Sequence, residues 1–180
     1  PNVSYTYDSY YSRVASMVDG IGTTIYTYVA PGTNGAGQVA TVDGPLSNDT
    51  IAYTYDQLGR VIQRTLNGSA NQVDWTFDSL GRVTSEENLL GEFEYTYDGV
   101  TNRLATVTYP NDQTSTYTYL DDESDHRLQT IHHKYPNSST LSKVAVSLPP
   151  GAMTGSTFCR SATTRSGRRG EEWISKLGRT

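Results

Sequence analysis

The 180-residue chain has one cysteine, Cys159, so no disulfide forms within it and its fold does not depend on an oxidising compartment. Phenylalanine and tryptophan are scarce, at 3 and 2 residues, and hydrophobic residues make up only 35% of the chain; 14 tyrosines supply much of the surface available for burial. Each tyrosine carries a large apolar ring with a polar tip. No apolar run approaches the roughly 18 to 20 residues that a membrane-crossing helix needs. The N-terminus lacks the charged-then-apolar pattern of a signal peptide. The chain opens at Pro1 and enters a repeat almost at once, which reads as a piece of a larger protein.

Positive charge is also short over most of the length. Residues 1–143 hold 8 Lys and Arg against 17 Asp and Glu, whereas residues 144–180 hold 6 against 2. An acidic body argues against a nucleic-acid partner, because phosphate binding needs a basic face. Sustained i, i+3, i+4 apolar spacing is missing as well, apart from a short helical candidate at Gly170 to Leu177.

What fills the body is repetition. An aromatic-x-aromatic triplet recurs at Tyr5/Tyr7, Tyr26/Tyr28, Tyr53/Tyr55, Trp75/Phe77, Tyr95/Tyr97 and Tyr117/Tyr119, its second aromatics spaced 21, 27, 22, 20 and 22 residues apart. In most copies Asp follows, then a short polar link, then Arg with Val or Leu: Asp8 to Arg13, Asp56 to Arg60, Asp78 to Arg82 and Asp98 to Arg103, with a looser version from Tyr119 to Arg127. Two rings two residues apart share one face of a strand, with Thr on the other. The aspartate opens a turn by accepting backbone N–H groups two residues on, and Gly59 and Gly81 supply positive φ. A second turn follows in each unit, at Asn67-Gly68, Asn88 to Gly91, Pro110 to Asp112 and Pro136 to Ser138. The expectation is an all-β antiparallel meander of about six hairpin repeats over residues 1–143. Its sheet must curl, pack on another sheet or line a cavity to cover its faces.

The unit "YTYDQLGRV" at Tyr53 to Val61, echoed by "WTFDSLGRV" at Trp75 to Val83, resembles the YD repeat of bacterial RHS proteins, insecticidal toxin-complex shells and teneurins. The match covers about residues 3–143. It implies a hairpin ribbon forming part of a spiral shell that encloses a C-terminal toxin or effector domain, in a larger bacterial protein that is secreted or at the cell surface. The motif residues Tyr53, Tyr55, Asp56, Gly59, Arg60, Trp75, Phe77, Asp78, Gly81, Arg82, Tyr95, Tyr97, Asp98, Arg103, Tyr117 and Tyr119 are then structural. In many members the shell ends near P-x-x-x-x-D-P-x-G-L, where aspartates cut the chain; "LPPGAMTG" shares only a proline and a glycine with it, so no protease role is carried over.

The tail is a different text. After Tyr135 tyrosine disappears, and from Val144 the repeat stops where its next aromatic strand is due. Codons for Val146-Ser147-Leu148 can read Tyr-Arg-Tyr one base later, which points to a frameshift near Val144 and a tail too poor in apolar residues to fold. A shifted nucleotide frame without the aromatic pattern would contradict this.

Chemistry-bearing candidates are few. Adjacent His132 and His133 point to opposite faces of a strand, and His126 has no metal-site companion. The acidic run Asp121 to Asp125 lacks the glycine and terminal glutamate of a calcium loop. "GTNGAGQV", Gly32 to Val39, has no Lys-Ser/Thr and reads as a long turn, and no serine lies in G-x-S-x-G. Cys159 has no base beside it and reads as an inert thiol. The N-x-S/T matches at Asn2, Asn48, Asn67 and Asn137 fall at turns. The expectation is a non-enzymatic scaffold without cofactor, metal or membrane span, whose partners are neighbouring repeats and an enclosed effector. The alternative is an adhesion or carbohydrate-binding module in which exposed Tyr and Trp75 stack on sugars.

Overall fold

The computed structural model describes residues 2–145. The helical candidate at 170–177, Cys159 and the frameshift reading of the tail lie outside the described residues.

Every strand is antiparallel to its chain neighbour within its unit. In the first unit, which ends at Asp112, ten strands follow one another: β1 (Ser4–Tyr7), β2 (Val14–Val18), β3 (Thr23–Tyr28), β4 (Val39–Asp43), β5 (Ile51–Tyr55), β6 (Val61–Leu66), β7 (Gln72–Phe77), β8 (Val83–Asn88), β9 (Gly91–Tyr97) and β10 (Leu104–Thr108). The second unit holds β11 (Thr114–Tyr119), β12 (Leu128–Lys134) and β13 (Thr140–Ala145). Short 3-10 turns at Ser69–Asn71 and Asp122–Ser124 are the helical segments among the described residues. The all-β meander of hairpins read from the sequence is the observed fold.

The strands form where aromatic and β-branched residues alternate, and they end at the turn residues. Gly59 and Gly81 take φ values of 76° and 81°, as their turns require. Opposite them, Asn67, Asp112 and Ser138 enter the left-handed region at the second turns. Burial follows the pleat. In β9 the residues alternate between half-buried and exposed along the whole strand, Tyr95 and Tyr97 half-buried and Thr96 exposed between them. The threonine face is joined by hydroxyl pairs across most hairpins, including Thr27 with Thr41 at 2.6 Å, Thr76 with Ser85 at 2.8 Å and Thr118 with Thr130 at 2.7 Å.

Each hairpin carries a bulge at one fixed place. Thr54 pairs with Gln63 but Tyr55 pairs with Val61, and the same slip occurs at Thr6/Tyr7, Thr27/Tyr28, Thr76/Phe77, Leu104/Thr106 and Thr118/Tyr119. The second strand thus spends one extra residue, such as Ile62 or Thr84, just after its Arg-Val start. Burial is shallow throughout: among described hydrophobic residues only Tyr55 and Val107 are below a tenth exposed. In the first unit, extensive contacts between strands run only between strands consecutive in the chain.

Candidate functional site: stacked aspartate turns

In the four hairpins that turn at Asp8, Asp56, Asp78 and Asp98, the aspartate does two jobs. The Asp56 N–H donates to the Arg60 carbonyl at 2.9 Å, closing the turn. Its Oδ1 accepts the N–H groups of Leu58 and Arg60, each at 2.9 Å, and its Oδ2 accepts the Arg60 guanidinium at 2.6 Å. Asp78 repeats the set with Leu80 and Arg82 at 2.9, 2.9 and 2.7 Å. Asp8 holds Tyr10 N–H and Arg13 in the same manner, and Asp98 pairs with Arg103 at 2.9 Å. The acidity follows from these contacts. At Asp78 and Asp8 the dominant influence is a backbone N–H, from Arg82 and Tyr10 respectively, and the carboxyls sit below the usual carboxylate range. At Asp56 partial desolvation is the largest single influence and acts upward; the N–H and guanidinium of Arg60 and the N–H of Leu58 together outweigh it, so this carboxyl is lowered too.

Between hairpins the connection changes character. Consecutive hairpins pair by backbone only at the end away from the aspartates, as in Gln63↔Asp74 to Thr65↔Gln72 and Ser85↔Glu94 to Asn88↔Gly91. Toward the aspartate end the ladder stops short of the second aromatic. Side chains bridge the gap. The Tyr28 hydroxyl donates to the Val14 carbonyl at 2.6 Å, Tyr55 to Val39 at 2.7 Å and Tyr97 to Val83 at 2.7 Å. Over three of the second aromatics lie arginines of the preceding hairpin: Arg13 at 4.0 Å from the Tyr28 centroid, Arg60 at 4.4 Å from Phe77 and Arg82 at 4.4 Å from Tyr97. Arg82 also donates to the Gly99 carbonyl at 2.9 Å and to that of Thr101, both in the next aspartate turn. Arg13, Arg60 and Arg82 are therefore each held by their own turn and cover the next ring.

Two departures show what the rule depends on. Phe77 has no hydroxyl, so the Val61 carbonyl gets no such bond there and only the Arg60 stacking remains. In the long turn of the second hairpin no aspartate or arginine is present. Gln38 stands where the arginine would and donates to the Gly59 carbonyl at 2.8 Å, while Gly35 presses on Tyr55 so closely that a Cβ there would lie 2.5 Å from the ring. Tyr55 is in consequence 7% exposed, and its burial raises the phenol pKa. Shallow depressions remain between neighbouring turns, one of about 300 Å³ lined by Leu80, Gly81, Arg82, Tyr97 and Asn102.

The first aromatics do less. Trp75 is half-buried and its indole N–H is taken by Glu86 at 3.1 Å, with Arg64 6.0 Å from its ring. Tyr53 lies opposite Arg64 and Tyr95 opposite Val107, and burial raises the Tyr95 phenol. Tyr117 and Tyr119 lie opposite Ile131 and Leu128 in the second unit. The sequence marks the aspartates, arginines and rings but not the step from one hairpin's arginine to the next hairpin's ring. The signal that carries it is the fixed order ring, Asp, Arg-Val, ring.

The remaining candidates stay apart. His132 meets Thr140 at 2.9 Å and His133 meets Ser115 at 2.6 Å, on opposite faces, while His126 contacts Asp122. No group of three potential metal ligands gathers among the described residues, and no described helix is long and apolar enough to cross a membrane. The Ser115–His133 contact is no accessible dyad, because Ser115 is fully buried. Asn67, in one of the N-x-S/T matches, uses its amide to accept the Thr50 N–H at 3.0 Å and to donate to the Asn48 carbonyl.

No family model and no curated protein matches the sequence. The fold does match solved structures. A crystal structure of TcdB2-TccC3 aligns with a TM-score of 0.64 at 14% identity, covering 82% of this chain and 9% of that one. A TcdB2-TccC3-TEV crystal structure aligns at 0.63 and 14%, covering 82% and 8%. The fold is that of the RHS repeat. The likeness rests on the three-dimensional arrangement alone, and this chain spans less than a tenth of the length of the chains it matches. Within that fold, the aspartate turns and the rings they serve join consecutive hairpins at one end, as backbone pairing does at the other.

Proposed function

We propose that this chain is a scaffold segment of a larger RHS-repeat protein, a length of wall that encloses or presents a C-terminal toxin or effector. Residues 1–143 form the repeats, and 144–180 are a non-repeat tail. The observation that carries this is the set of contacts from Arg13, Arg60 and Arg82 to the next ring: the aspartates and arginines of these turns are consumed in joining repeats. The likeness to TcdB2-TccC3 supports it. A catalytic role has no converged nucleophile and base behind it among the described residues, and the carbohydrate-binding alternative gains little from a Trp75 that is half-buried, with Arg64 6.0 Å from its ring. The reading places the parent outside the bacterial cytoplasm, with neighbouring repeats and the effector as partners.

Limited proteolysis of the parent protein tests it. The segment downstream of the repeats resists digestion while the repeats are folded and is cut once they are opened by mild denaturant. Equal digestion in both states would overturn the scaffold reading.

A further inference from the structure

Asn-Gly occurs at two places in the chain, Asn34-Gly35 and Asn67-Gly68. Both asparagines are exposed, and the glycine after each brings no side chain to shield its backbone nitrogen. Their surroundings differ. The Asn67 amide is tied at both ends, its oxygen accepting the Thr50 N–H at 3.0 Å and its nitrogen donating to the Asn48 carbonyl. Among the described residues nothing bonds the Asn34 amide or the Gly35 N–H. The Ala36 N–H donates to the Thr33 carbonyl at 3.1 Å, which puts Asn34 and Gly35 at the centre of a turn, with Gly35 at a φ of 76°. Against that turn lies the Tyr55 ring, 7% exposed and so near that a Cβ on Gly35 would be 2.5 Å from it.

We propose that Asn34-Gly35 is a self-modification site, where the asparagine converts to aspartate and isoaspartate with water as the co-reactant, and that the isoaspartate uncovers Tyr55. The inference goes beyond the scaffold reading and does not rest on it. The Gly35 backbone nitrogen gives up its proton to solvent base and attacks Cγ of Asn34. A C–N bond forms, the side-chain nitrogen leaves as ammonia, and a succinimide ring results. Water then opens the ring at one of its two carbonyls, and nothing is oxidised or reduced. Opening at Cγ gives aspartate on the original backbone. Opening at the main-chain carbonyl gives isoaspartate, whose backbone runs through Cβ and Cγ and is longer by one methylene. At Asn67 the same attack must first free an amide held by Thr50 and Asn48. At Asn34 no bond of the amide has to break. The added methylene falls next to the residue packed on Tyr55, where even a Cβ has no room, so the turn lifts off the ring. The Gln38 N–H and the Gly37 N–H, which donate to Gly35 and Val29, lie just beyond and move with it.

The test is peptide mapping by mass spectrometry of the chain held in mildly alkaline buffer, with isoaspartate identified by an isoaspartyl methyltransferase label. Asn34 is expected to convert about tenfold faster than Asn67, the protection that the two bonds of the Asn67 amide confer. In concentrated urea, where those bonds are gone, the two rates converge. Conversion of Asn67 as fast as Asn34 in buffer, or a ratio that urea leaves unchanged, overturns the proposal. The uncovering is read by NMR from the Tyr55 ring signals, which shift in the isoaspartyl product and stay in place in the Asn34→Asp chain, whose charge is the same and whose backbone is regular. Tyr55 signals that are alike in the isoaspartyl product and the unconverted chain, or that shift equally in Asn34→Asp, overturn the link to Tyr55.

Discussion

The two ends of the hairpins are joined to their neighbours by different means. At the end away from the aspartates, strands of consecutive hairpins run in backbone register, as Asn88↔Gly91 and Glu87↔Glu92 show. At the aspartate end that register is absent, and a phenol, a guanidinium and a turn carbonyl do the joining. A backbone ladder accepts almost any side chain, so the first end tolerates sequence drift. The second works only if particular groups are present, which is why the repeat is legible as a motif there and fades elsewhere.

The comparison can be broken most sharply at Gly35. Its φ of 76° and the 2.5 Å separation of a Cβ from the Tyr55 ring leave no room for a side chain. Gly35→Ala is expected to cost about 3 kcal/mol in urea unfolding, because the ring is struck near its root and cannot swing away. Next in size is Arg82→Ala, which removes an ion pair, a ring contact and two carbonyl bonds together; about 2 kcal/mol is expected, with amide exchange quickening near Tyr97 while the β8–β9 backbone pairs stay protected.

Acid probes the same end. Asp8, Asp56 and Asp78 have lowered folded-state pKa values, so the stability they confer is complete above the ordinary carboxylate pKa of about 3.9 and is lost as pH falls through the depressed values. Thermal unfolding followed below about pH 4 should show this loss, and Arg82→Ala, which removes the side-chain hydrogen bond and the charge that lower Asp78 but keeps the backbone N–H, should flatten it.

Phe77→Tyr tests the rule in the favourable direction. A hydroxyl there reaches the Val61 carbonyl as Tyr97 reaches Val83, and a gain of about 0.5 to 1 kcal/mol is expected in the same urea assay. The smallest effect belongs to the backbone-paired end. Asp74, Glu87 and Glu92 stand directly opposite one another across β7, β8 and β9, and Glu87→Lys should stabilise by about 0.5 kcal/mol, an effect that salt diminishes.

How much of this was legible depends on range. The aspartate turns were readable because Asp56 to Leu58 is a contact two residues long, and the strands because rings at 53 and 55 alternate with Thr54. The bulges were not: no composition signal separates Ile62 or Thr84 from a regular strand residue. The arginine-to-ring step spans 15 residues from Arg13 to Tyr28 and from Arg82 to Tyr97, and it exists because neighbouring hairpins part toward one end, which no period within a strand encodes. Gln38 carries no mark in the sequence for the same reason, since its partner Gly59 is 21 residues away.

Arg13, Arg60 and Arg82 meet Tyr28, Phe77 and Tyr97 in the same manner, at 4.0 to 4.4 Å, so an arginine from one hairpin is expected to fit the ring of another. The parts are thus interchangeable. Excising residues 56–77 joins Tyr55 directly to Asp78 and leaves Tyr-Asp-x-Leu-Gly-Arg-Val intact across the scar. Genes for such chains can lengthen or shorten by whole units through recombination and still yield a seam that closes.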